Sequence, residues 1–99
     1  MNVLEFANVF NTVYTKIKHL HRINWDITPD FEAQNIMIRI PSIDAVYVWR
    51  YKDNVLEAHS YEEFWSDRTT YYDNYDLKLF IKIIKKIIKG KGFDLEYRC

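Results

Sequence analysis

Residues 36–59, IMIRIPSIDAVYVWRYKDNVLEAH, decide how this chain folds. Ile36, Ile38 and Ile40 alternate with Met37 and Arg39. That period of two sends successive side chains to opposite faces of a strand. Pro41-Ser42 closes the run. In residues 45–51, Val46 and Val48 fall on one face and Tyr47, Trp49 and Tyr51 on the other. Lys52-Asp53-Asn54 then reads as a turn, and residues 55–59 return as the antiparallel partner. A strand apolar on both faces needs cover on both, from a ligand, a second subunit or a helix. Tyr47, Trp49 and Tyr51 are therefore a candidate dimerisation surface, because aromatic side chains are enriched where subunits meet.

Working outward, residues 3–21 read as a helix. Val3, Phe6, Ala7, Phe10, Val13, Tyr14, Ile17 and Leu20 recur at helical spacing. Asn2 is a candidate N-cap with Glu5 reaching back. Lys16, Lys18, His19, His21 and Arg22 crowd the far end, where the helix dipole favours cations. Ile23, Trp25 and Ile27 predict a short strand that Pro29-Asp30 ends. Ser60-Tyr61-Glu62-Glu63 is a capping box, which predicts a short helix from Tyr61 carrying Phe64 and Trp65. Residues 66–74 read as a polar loop. Leu77, Phe80, Ile81, Ile84, Ile87 and Ile88 predict a helix over 76–89, widened by Leu79 and Ile83, with Gly90 and Gly92 as its C-cap. Phe93, Leu95 and Tyr97 alternate and predict a last strand at a sheet edge. The order α-β-β-β-β-(α)-α-β predicts one α+β domain over residues 1–99. It is two-layered, an antiparallel sheet of about four to five strands backed by two long helices.

The chain has 99 residues, 17% of them aromatic, and zero net charge. That zero conceals a division. Residues 52–76 hold seven acids and two bases, whereas residues 77–99 hold seven bases and two acids. The two blocks either neutralise each other in the fold or present opposite fields to partners. Gly90 and Gly92 are the only glycines, which excludes the glycine-rich loops that let backbone amides approach phosphate. The single cysteine, Cys99, excludes an intramolecular disulfide and a cysteine-built zinc site. No apolar run is long enough for a transmembrane helix, and the first residues do not resemble a signal peptide. These observations predict a protein of the cytoplasm that needs no cofactor.

Four constellations are candidates for function. Lys78, Lys82, Lys85, Lys86 and Lys89 share the narrow polar face of the last helix and could track a phosphate backbone. Their competing role is a solvated stripe that complements the dipole. Tyr61, Glu62, Glu63, Trp65, Tyr71, Tyr72 and Asp73 form an acidic aromatic segment suited to anchoring on a protein partner. His19 and His21 stand two apart, which keeps them off a common helix face and argues against a metal site. Asp30, Asp44 and Glu57 are carboxylates that would have to converge to hold Mg²⁺. Ser42, Ser60 and Ser66 sit at turns or caps, and no Ser/His/Asp arrangement is recognisable.

Several resemblances accompany these readings. The basic helix on an antiparallel sheet resembles the double-stranded RNA-binding domain in outline, without that family's glycine loop or lysine cluster. Pro29-Asp30 and Glu57-Ala58-His59 resemble the Pro-Asp…Glu-x-Lys motif of restriction-type nucleases, with His59 where lysine belongs. A short, Ile/Lys/Tyr-rich chain with few glycines and one glutamine, Gln34, resembles the small orphan proteins of filamentous and rod-shaped DNA viruses of hot, acidic springs. That last resemblance implies a virus-encoded, thermostable accessory protein, commonly dimeric. It would act in the host cytoplasm by binding a host or viral protein rather than by catalysis. Nucleic-acid binding through the lysine face is the alternative, and a minimal metal-dependent nuclease a weaker one.

Overall fold

The computed structural model describes residues 3–60 and 69–89. Helix α1 (Val3–Ile17) is followed by strands β1 (Asp26–Asp30), β2 (Asn35–Ile40), β3 (Ala45–Arg50), β4 (Val55–Ser60) and β5 (Thr69–Tyr72), then helix α2 (Leu77–Ile88). A single 3-10 turn, Pro41–Ile43, joins β2 to β3. The five strands form one antiparallel sheet in the order of the chain. The expected two-layer α+β architecture is what the chain adopts.

Register follows the alternation. Ile36 pairs with Trp49, Ile38 with Tyr47 and Ile40 with Ala45; across β3, Trp49 pairs with Leu56 and Tyr47 with Ala58. These residues make the face on which the helices lie. Phe6, Val13 and Ile17 of α1 and Phe80, Ile83, Ile84, Ile87 and Ile88 of α2 are buried against it. Trp49 stacks on Phe80 with ring centroids 5.0 Å apart and planes 7° off parallel, and its indole N–H donates to the Tyr75 carbonyl at 2.6 Å. Each buried isoleucine or phenylalanine contributes about 1.5–3 kcal/mol of transfer free energy. Val46 and Val48 are buried on the opposite face.

Turn chemistry sets the connections. Asp44, Asn54 and Asn74 have φ of 53°, 55° and 63°. Asn and Asp visit this left-handed region at lower cost than most side chains. Asp30 accepts the amides of Glu32 and Ala33 through its carboxylate, which shapes the β1–β2 turn.

The boundaries differ from expectation in three places. Helix α1 stops at Ile17 rather than residue 21. There the chain tightens, Leu20 N–H donating to the Ile17 carbonyl, and the Trp25 indole takes the Leu20 carbonyl at 2.7 Å. Strand β1 begins at Asp26, so that Ile23 and Trp25 precede it, and it runs through Pro29 instead of ending there. An outer strand tolerates proline, because a missing amide hydrogen costs nothing on the side away from the ladder. Residues 69–72, expected as loop, form β5, with Leu56 opposite Tyr72 and Ala58 opposite Thr70. The expected short helix from Tyr61, the Gly90 and Gly92 cap and the last strand fall outside the described residues.

The two helices point the same way. Near its start, α1 places Phe6 6.3 Å from Tyr51, and Tyr75 N–H, just before α2, donates to Asn54. Both helices therefore begin at the β3–β4 turn end of the sheet. At the other end, Ile23, which follows α1, and Ile87, in the last turn of α2, line one recess with Ile43 and Ala45. The C-terminal ends of both helices thus share one end of the molecule.

Candidate functional site

The α2 lysines are the first site to place. Lys78, Lys82, Lys86 and Lys89 are exposed and Lys85 is half-buried. Asp76 caps the opposite, positive end by accepting the Leu79 amide at 2.9 Å. Among the described residues, no lysine takes part in an ion pair. The pairs that form join Arg39 to Asp26, Arg50 to Asp53 and Glu57, and His59 to Glu57. Among the described residues of the acidic block, Asp53 and Glu57 pair with Arg50 and Asp76 caps α2. Charge separates by layer. The helices with the Asp76 and Lys89 caps carry six lysines and two acids, Glu5 and Asp76, whereas residues 26–60 carry six acids and three bases.

Beside α2, the end of α1 adds the cations Lys18 and Arg22 and two imidazoles. Lys18, His19, His21 and Arg22 are exposed. His19 and His21 lie beyond the helix rather than on it. Lys18 and His21 line a recess of about 310 Å³ with Tyr14, Ile23, Asn24, Trp25, Asp26 and Ile27. Tyr14 was expected in the apolar stripe of α1, yet it is 42% exposed. Its ring stacks on Phe10, one turn earlier, at 6.4 Å and 12°. Lys18 follows a turn later. The spacing Phe10, Tyr14, Lys18 is the signal that could have marked this edge, but it reads equally as part of a core stripe.

The three aromatics expected at a dimerisation surface lie under the helix layer. Tyr47 and Trp49 are buried within one chain, because α2 supplies the cover; Tyr51 is half-buried with its ring against Trp49 and Phe6.

In the acidic aromatic segment, Tyr61, Glu62, Glu63 and Trp65 lie outside the described residues. Tyr71 is 59% exposed on the open sheet face, with the Arg50 guanidinium 5.9 Å above its ring. Asp73 is exposed, whereas Tyr72 is half-buried and packs edge-on against Tyr75 at 6.1 Å.

The three carboxylates of the nuclease-like motif do not converge. Asp30 holds its own turn, and Asp44 accepts the Ser60 hydroxyl at 2.7 Å. Glu57 stands three strands from Asp30 and is bridged by Arg50 and His59, each at 3.2 Å. Among the described residues, no three His, Cys, Asp or Glu side chains are grouped to hold a metal ion. No described helix is long and apolar enough to cross a membrane. No protein-family model, curated protein or solved structure matches the chain.

Proposed function

We propose that this chain is a non-enzymatic binding protein whose basic helix face takes the phosphate backbone of a nucleic acid. The observation that carries the reading is the row of α2 lysines, four of the five exposed and all without acid partners among the described residues. Zero net charge does not oppose it. With a Debye length of about 8 Å at physiological salt, a polyanion at the helix layer senses the local lysines more than distant acids. The row rises ~16 Å from Lys78 to Lys89, long enough to follow several phosphates of one strand. A gel shift with short DNA and RNA over a salt series tests the reading. The expected result is a log–log slope of about −0.7 to −0.9 per phosphate neutralised. Lys82→Glu with Lys86→Glu should cost tenfold or more in affinity. Binding that ignores salt, or no binding at low salt, rejects it.

A protein partner at the Tyr71 side is the second reading, favoured by the exposure of Tyr71 beside Arg50 and of Asp73. Tyrosine and arginine are the side chains that most often carry binding energy at interfaces. Tyr71→Ala with Asp73→Lys should abolish capture of such a partner while nucleic-acid affinity is retained. Equal capture by wild type and variant would reject it.

A further inference from the structure

We infer that the recess between the end of α1 and the start of β1 is a binding site for one unpaired base of a single-stranded nucleic acid. This rests on the nucleic-acid reading and specifies which form of the polymer is bound.

The recess combines the two chemistries that such a ligand needs. One is an aromatic face. Tyr14 is 42% exposed, and its stacking on Phe10 holds the ring plane against rotation. Trp25 forms another wall, fixed by the 2.7 Å hydrogen bond from its indole to the Leu20 carbonyl. Bases stack on exposed aromatic rings irrespective of sequence, because each base presents a π-face. The other chemistry is positive charge beside that face. Lys18 supplies it from the lining, with exposed Arg22 close by in the chain, and the His21 imidazole adds a polar ring to the same wall. Asn24, also in the lining, offers an amide donor and an acceptor to a base edge. Asp26 is the one acid there, and the Arg39 guanidinium holds it at 2.7 Å. At about 310 Å³ the recess is at the lower end of small-ligand sites.

The parallel course of the helices places this recess at the molecular end where Lys85, Lys86 and Lys89 finish α2. A strand crossing the helix layer would have its phosphates met by lysines and one base turned into the recess. A paired base in a duplex cannot enter without unstacking, so the recess selects single strands.

The probes are a fluorescein-labelled 12-mer of oligothymidine and a 12-base-pair duplex, with affinity read by anisotropy at low salt. The expected result is tighter binding of the single strand, and a Tyr14→Ala variant that loses roughly five- to 150-fold for it, the range for one stacked base. Duplex affinity should stay the same in that variant. Trp25 emission should be quenched by the oligomer, and Trp25→Phe should remove the quench. Tyr14 is exposed, so circular dichroism and Tm should be unaltered, which separates lost binding from lost folding. If both probes bind equally and Tyr14→Ala changes neither, the base site is overturned while the lysine reading stands. If neither probe binds at low salt, both fall together.

Discussion

Tyr47 holds its hydroxyl in the core of the sheet face, where the side chain is almost wholly buried. Burial is the main cause, and neighbouring Tyr72 the lesser one, of a phenol pushed well above the ordinary tyrosine range. The folded state therefore retains a proton that the unfolded chain gives up at about pH 10. Below that pH both states are protonated, and the contribution to stability is fully present. Above it the unfolded state binds fewer protons, so stability falls as pH rises toward the folded value. Urea midpoints measured from pH 8 to 11 should drop above about pH 10, and Tyr47→Phe should flatten that drop. An identical slope in both proteins would assign the alkaline loss to other groups. The placement of Tyr47 on one face with Trp49 was legible from alternation alone, since period two leaves no other choice. What covered that face was not legible. A strand apolar on both sides states that cover exists, and only the folded chain names α2 through the Trp49–Phe80 stack.

Helix α2 and strand β5 show where element-scale reading succeeds and fails. The apolar arc of α2 is wide, its lysines occupy one remaining stripe, and Asp76 accepts the Leu79 amide as an N-cap should. Asp76→Ala removes that bond and the favourable charge at the helix start, and should cost about 1 kcal/mol. Chemical denaturation should show the midpoint shifted with the m-value unchanged. A silent substitution would mean that the Phe80 and Ile84 packing alone fixes the start of the helix. Strand β5 gave weaker signals. Thr69, Thr70, Tyr71 and Tyr72 have good strand propensity, but the flanking polar residues mask a strand of only four. Its pairing with β4 comes from tertiary register, which local sequence does not encode. The early end of α1 has the same origin. Leu20 lies past the helix, its N–H on the Ile17 carbonyl and its own carbonyl on the Trp25 indole, so the helical pattern through Leu20 overstates the helix.

At the scale of the molecule, net charge and field part company. The sequence showed two opposite blocks but not whether they meet, because that depends on where the helix layer lies relative to the acids. In the fold Asp26 pairs with Arg39, and Asp53 and Glu57 pair with Arg50, while the lysines of both helices lie on the other layer. Two sets of cations about 60 residues apart come to one end because α1 and α2 run parallel, a relation that no local pattern contains. If this layer field governs binding, restoring net charge elsewhere should not restore affinity. Lys82→Glu with Lys86→Glu changes the net charge by −4, because each replacement reverses one charge. Adding Glu32→Lys and Asp73→Lys, both at exposed positions outside the two helices, returns the net charge to zero. The quadruple variant should bind oligonucleotide as weakly as the double variant, with the same reduced salt slope. Recovery to the wild-type affinity would show that long-range net attraction, rather than contact of phosphates with the helix layer, sets the binding.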